Sequence, residues 1–254
     1  MSVLQALILG IIEGITEFLP VSSTAHLILA AHALRLPETE FVKSFEIIIQ
    51  LGAILSVVFL YWRKFLNAEV LKKVIVAFIP TGVLGATLYR AVKDDLLGNV
   101  SVVLWALVIG GIALIVFERS REAGKDELDF TEITYRRALL VGLFQAVAMV
   151  PGVSRSAATI IGGSLLGISR RTIVEFSFIL AVPTMLAASV LDLSQSYRAI
   201  GGNFGALAVG FVVSFVTAIL AIKSFLAFIK KRSFAAFGWY RIVLAILYYF
   251  VFVR

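Results

Sequence analysis

The chain has 254 residues, of which 60% are hydrophobic and 15% charged, with a mean hydropathy of +1.00. That balance excludes a water-soluble domain, where about a quarter of the residues carry charge, and the absence of cysteine excludes disulfides, thiolate catalysis and cysteine metal sites. The net charge of +7 is not taken as a sign of nucleic-acid binding, because the basic residues fall in loops that would lie beside anionic headgroups.

In chain order, the N-terminus lacks a basic leader, and Glu13 and Glu17 interrupt its apolar stretch, so it does not read as a cleavable signal. The segment Gly10–Leu29, GIIEGITEFLPVSSTAHLIL, is apolar but broken, since Pro20 cannot continue the helix that holds Glu17. Each half is too short to cross a bilayer, which takes roughly 20 residues. A re-entrant helical hairpin is expected, because irregular backbone at membrane depth is tolerated only inside protein or beside a water-filled cavity. Three spans follow, near 44–62, 70–90 and 99–118. A polar linker over 119–135 precedes a second broken segment, Gly142–Ile161, GLFQAVAMVPGVSRSAATII, with the turn dipeptide Pro151-Gly152. Three more spans are expected near 172–193, 204–229 and 236–253.

The two broken segments align without gaps, matching at Gly10/Gly142, Val21/Val153, Ser22/Ser154 and Ala25/Ala157, with Glu13 opposite Gln145 and Thr24 opposite Ser156. A hairpin keeps the chain on one side and three spans change it. The fold expected is therefore all-α: six transmembrane helices and two re-entrant hairpins in an inverted-topology repeat, with repeat 1 at about 1–118 and repeat 2 at about 136–254. Such a plan places broken helices opposite one another at the midplane. One set of loops holds fourteen Lys and Arg residues and the other six, so the first set is expected in the cytoplasm and both termini outside.

The chemistry concentrates at the breaks. Glu13 and Glu17 are four residues apart and share a helix face. Intramembrane carboxylates are a functional signal, and a pair of them calls for a cation or a shared proton. Ser22, Ser23 and Thr24 open the helix after Pro20, where free N–H groups bind anions. His26 lies three residues beyond Ser23, a spacing that suits a hydroxyl nucleophile beside a proton-transfer group. In the second break Arg155 sits between Ser154 and Ser156, with Thr159 one turn on, a guanidinium fork and hydroxyl donors suited to phosphate. Glu46 and Gln50 share a face of the next span and are candidates for lining a cavity. Lys223 and Arg241 are expected to snorkel, His32 to be structural, and Glu175 to pair with Arg171. Trp62 and Trp239 fit interfacial belts. These residues handle an anion, most naturally a phosphate, and do not separate hydrolysis from transport.

EGITEFLPVSSTAH (Glu13–His26) and PGVSRSAAT (Pro151–Thr159) resemble the two signatures of the undecaprenyl-diphosphate phosphatase family, also called bacitracin-resistance proteins. The similarity extends through SFEIIIQLGA (Ser44–Ala53) and EFSFILAVP (Glu175–Pro183). The resemblance implies a multi-pass enzyme of the plasma membrane, the inner membrane of a cell that has two. It would hydrolyse a polyprenyl diphosphate to the monophosphate carrier of cell-wall (peptidoglycan) synthesis, using a divalent cation such as Mg²⁺ or Ca²⁺. By position Glu13, Glu17, Ser23, His26, Ser154, Arg155 and Thr159 match the family's functional residues. Read together with the residues at the breaks, the roles expected are Glu17, Ser23, His26 and Arg155 as catalytic, Ser22, Thr24, Ser154, Arg155, Ser156 and Thr159 as substrate-binding, and Glu13 and Glu17 as metal-binding. Ser23 is the candidate nucleophile, with His26 or Glu17 as proton acceptor; direct attack by water without a phosphoserine is left open. The partners implied are the lipid substrate and the membrane, and a homodimer is left open. A lipid-phosphate or anion transporter using the same site is the alternative.

Overall fold

A computed structural model describes residues 1–37, 39–91, 96, 99–120, 128, 130–196 and 203–254. The expected loop charges Lys93, Arg121, Lys125 and Arg198 and most of the polar linker lie outside the described residues. The described elements are helical apart from one isolated bridge, between Leu128 and Ile168.

The described residues form ten α-helices: α1 (Val3–Thr16), α2 (Ser23–Ala33), α3 (Glu40–Phe65), α4 (Ala68–Ala91), α5 (Val100–Ser120), α6 (Tyr135–Ala146), α7 (Arg155–Leu165), α8 (Arg170–Ser196), α9 (Phe204–Ile229) and α10 (Ala235–Tyr248). Among the described residues, six helical segments are long and apolar enough to cross a membrane: Glu40–Phe65, Ala68–Leu88, Val100–Ser120, Arg170–Leu191, Phe204–Ile229 and Ala235–Val253. Several run longer than the apolar pattern alone indicates, because capped polar turns extend them. Thr39, for example, accepts from the Val42 N–H at the start of α3. Large apolar side chains such as Phe59, Ile109, Val190 and Leu220 face outward, the arrangement expected of a protein whose solvent is lipid.

α1 starts on a capping box between Ser2 and Gln5 and packs along α9. The contact is close because it is made of small residues: a Cβ on Gly10 would lie 2.7 Å from the Gly210 carbonyl oxygen, which is what small-xxx-small spacing permits. In the other half α6 packs along α4. α3 lies against α8 and α9, and α5 against α10. Beneath the first break, Phe18 is fully buried and meets Phe178 of α8 edge-on at 5.3 Å.

The two breaks are built alike. α1 ends at Thr16 and α2 begins at Ser23, with Ser22 at φ 71° and its Oγ accepting from the Ala25 N–H. α6 passes through a 3₁₀ turn, Val147–Met149, and α7 begins at Arg155, with Ser154 at φ 79° and its Oγ accepting from the Ala157 N–H. A non-glycine residue in that region costs about 1–3 kcal/mol and is kept where the surroundings over-determine it. Gly152, at φ +95°, could not be replaced freely, because a Cβ there would meet the Val103 carbonyl oxygen of α5 at 2.8 Å.

Candidate active site

The breaks meet at one cavity of about 380 Å³, walled by Glu17, Ser22, Ser23, Thr24, Gly152, Ser154 and Arg155, with Gln50, Thr81, Gln145 and Thr184 on its other walls. Its apolar part runs between α4, at Gly82, Gly85 and Ala86, and α8, at Ala187, Ala188 and Leu191. Both helices carry a proline just before this stretch, Pro80 and Pro183, and an internal proline removes a hydrogen bond and bends a helix.

Glu17 ties the two breaks together. Its Oε2 accepts from the Ser23 hydroxyl at 2.5 Å and its Oε1 from Arg155 Nη2 at 3.1 Å. Arg155 Nη1 donates to the Ser177 carbonyl at 2.7 Å and to its hydroxyl at 3.3 Å. Nε of Arg155 is buried with no partner among the described residues. The guanidinium is thus fixed from α8 while keeping a donor free. The first N–H groups of α2 and α7 lie at the same cavity, and helix N-termini favour anions.

Glu13 is fully buried, and neither carboxyl oxygen has a hydrogen-bond partner among the described residues. It lies within electrostatic reach of Glu17, Glu46 and Arg155. Two orphaned hard oxygens beside a second carboxylate suit a hard cation. Among the described residues no group of three or more His, Cys, Asp or Glu side chains is arranged to hold a metal, so other oxygens would have to complete such a site.

His26, Ser156, Thr159 and Arg241 do not line this cavity. His26 does not meet Ser23: Nδ1 is 2.7 Å from the Ser22 carbonyl and Nε2 is 2.8 Å from the Tyr240 hydroxyl. Its ring stacks on Tyr240 with the planes 3° apart. The three-residue spacing put the two residues on one turn, but packing against α10 turned the imidazole away. Thr159 does not face the cavity; it is fully buried, donates to backbone within α7, and lies 2.7 Å from the Ser177 hydroxyl. Ser156 is also buried, 3.4 Å from Ser154 Oγ. Arg241 does not snorkel. It is fully buried and its donors all meet backbone carbonyls, those of Pro20, Ala106, Leu107, Gly152 and Val153.

Glu17, Ser22, Ser23, Thr24, Ser154 and Arg155 are brought to one cavity, which Gln50 also lines. Arg171 Nε lies 2.9 Å from Glu175, His32 pairs with Tyr248, and Trp62 and Trp239 are exposed. The sequence reading missed Ser177, Tyr240 and the fixing role of Arg241. A serine inside an apolar run is the signal for Ser177, whereas nothing in the local sequence marks Tyr240. Gln145, noted only as the counterpart of Glu13, donates to Thr81 at 2.9 Å and Thr184 at 3.1 Å.

A family model described as bacitracin resistance protein BacA matches residues 6–247. Among curated proteins, the chain is 50% identical to an undecaprenyl-diphosphatase of Aquifex aeolicus, over 96% of each chain. It is 51% identical to one of Sulfurihydrogenibium sp., over 98% of this chain and 99% of the relative. It is 42% identical to one of Methanococcus aeolicus over the full length of both.

Proposed function

The chain belongs to the BacA bacitracin-resistance family, and from that membership we infer that it is an undecaprenyl-diphosphate phosphatase. It is a multi-pass membrane hydrolase that removes the terminal phosphate of the lipid diphosphate and returns the monophosphate carrier to cell-wall synthesis. The observation that carries the assignment to this cavity is the Ser23–Glu17–Arg155 chain of hydrogen bonds, which joins a hydroxyl, a carboxylate and a guanidinium from the two breaks.

In the proposed reaction Arg155 and the N-termini of α2 and α7 hold the diphosphate and the charge that develops on it. Ser23 Oγ attacks the terminal phosphorus, its proton passes to Glu17, and the bond from that phosphorus to the bridging oxygen breaks as the lipid monophosphate leaves. Water then attacks the phosphoserine, inorganic phosphate departs, and Ser23 regains its proton. Glu13 and Glu17 would hold a divalent cation, Mg²⁺ or Ca²⁺, which supplies positive charge opposite the phosphate oxygens. Ser22, Thr24 and Ser154 add polar contacts at the headgroup. The apolar slot between α4 and α8 suits the first isoprene units of the chain.

The topology proposed is an inverted repeat, about 1–118 against about 136–254, with α1–α2 and α6–α7 as re-entrant hairpins and both termini outside the cytoplasm. It is supported by the like construction of the breaks at Ser22 and Ser154 and by the reciprocal packing of α1 on α9 and α6 on α4. The test of function is phosphate release by the purified protein from a polyprenyl diphosphate, with and without Mg²⁺. Metal-stimulated release is expected. Binding of the lipid without any release would overturn the assignment and leave a carrier of lipid phosphates.

A further inference from the structure

No α10 residue is among those lining the cavity, yet α10 touches both breaks. Arg241 Nη1 donates to the carbonyls of Pro20 at 3.4 Å and Val153 at 3.0 Å. Its Nη2 donates to Gly152 at 2.8 Å and Ala106 at 2.9 Å, and its Nε to Leu107 at 3.3 Å. A guanidinium has five N–H donors, so every one is spent on backbone. Among the described residues no carboxylate pairs with it, and its charge stands beside both breaks uncompensated. The preceding residue, Tyr240, reaches the same backbone through His26. Because His26 Nδ1 faces the Ser22 carbonyl at 2.7 Å, it must carry the proton. Nε2 lies 2.8 Å from the Tyr240 hydroxyl, accepting from it in the neutral ring and donating to it in the charged one. Both nitrogens are spoken for, and His26 has no lone pair to offer Ser23.

We propose that Tyr240 and Arg241 of α10 are positioning residues that fix the backbone of both breaks, and that His26 is a strut between them and not a proton-transfer group. A trans peptide sets its carbonyl and N–H on opposite sides. The Val153 carbonyl faces Arg241, so the N–H of Ser154 points away from that guanidinium. The Ser22 carbonyl runs along α2, taking the backbone N–H of His26 at 3.2 Å and its Nδ1 at 2.7 Å, so the N–H of Ser23 points out of the N-terminal end of α2. Ser23 and Ser154 both line the cavity. One dipeptide thereby braces the backbone beside the anion-binding N–H groups in both halves, and the buried guanidinium adds positive potential behind them. The inference rests on the phosphatase reading for its catalytic consequence, but not for its effect on anion binding.

The test uses the full-length protein in detergent with the variants Tyr240→Phe, Arg241→Lys, Arg241→Met, His26→Asn and His26→Leu. Thermal unfolding and binding of inorganic diphosphate are followed beside turnover. Asparagine is informative because its amide nitrogen copies the Nδ1 donor to Ser22 while abolishing any base. Tyr240→Phe should lower kcat/KM about tenfold and weaken diphosphate binding with little change in unfolding temperature. Arg241→Lys should fall at least as far as Arg241→Met, since an ammonium keeps the charge but cannot reach five carbonyls. His26→Asn should retain activity within about tenfold of wild type while His26→Leu loses far more. The proposal is overturned if Tyr240→Phe matches wild type in both readouts, or if His26→Asn is as inactive as His26→Leu. Full diphosphate binding by a folded Arg241→Met protein would also overturn it. A wild-type protein that releases no phosphate would instead refute the phosphatase reading, and diphosphate binding would still decide the role of α10.

Discussion

Ser23 Oγ lies 2.5 Å from Glu17 Oε2 across the Pro20 break, a contact between residues six apart that no helix could make. The break exists to bring them together: the chain must leave α1 and reverse before a hydroxyl at 23 can meet a carboxylate at 17. Ser23→Ala is expected to abolish turnover while lipid diphosphate still binds, since Arg155 and the helix N-termini remain. Single-turnover assays on the purified variant check it, and comparable turnover would make water the direct nucleophile.

Arg155→Lys is expected to be nearly as damaging as Arg155→Ala, each reducing turnover by two or more orders of magnitude. The guanidinium is held at Nη1 by Ser177 and at Nη2 by Glu17 while Nε stays free. A lysine has no planar edge with which to keep those partners and still face phosphate. Near-wild-type turnover of the lysine variant would mean that charge alone suffices.

Glu17→Gln is expected to cost more activity than Glu13→Gln, because Glu17 touches both Ser23 and Arg155. Both Glu13 oxygens are buried without a hydrogen-bond partner among the described residues, so Glu13→Gln should chiefly raise the Mg²⁺ concentration needed for half-maximal rate. Metal titrations of the two variants separate these roles, and equal metal dependence in wild type and Glu13→Gln would remove Glu13 from the cation site.

Gly14→Val should destabilise by about 1–3 kcal/mol through overpacking, since a Cβ at 14 already meets Thr217 and the carbonyl of Ser214 on α9. Urea or thermal unfolding in detergent measures this. An unchanged midpoint would show that α1 and α9 are free to separate.

Sidedness is expected to follow the charge bias. With no native cysteine, single cysteines at Leu36 and at Leu66 give clean reporters. In intact cells an impermeant thiol reagent should modify position 36 and leave position 66 unlabelled until the membrane is broken. The opposite pattern would invert the topology, and labelling of both would refute the three-span count.

Much of this protein is written in local sequence because bilayer physics leaves few choices. Uninterrupted apolar runs longer than a hydrocarbon core must be helices, and Pro20 and Pro151-Gly152 must break theirs. Serine before each short helix caps it, as Ser22 and Ser154 do. Such signals need only neighbours in the chain, which is why the six long helices and the two broken segments were legible. Which face of a helix meets which neighbour is set by contacts between residues far apart, and these only the tertiary structure decided. His26 was read from its spacing to Ser23, but Tyr240, 214 residues away, claims it. Arg241 was read as snorkelling from its distance to a helix end, yet carbonyls of α5 and of both breaks surround it. A buried charge takes the place where enough acceptors converge, and that convergence exists only once the two halves have packed together.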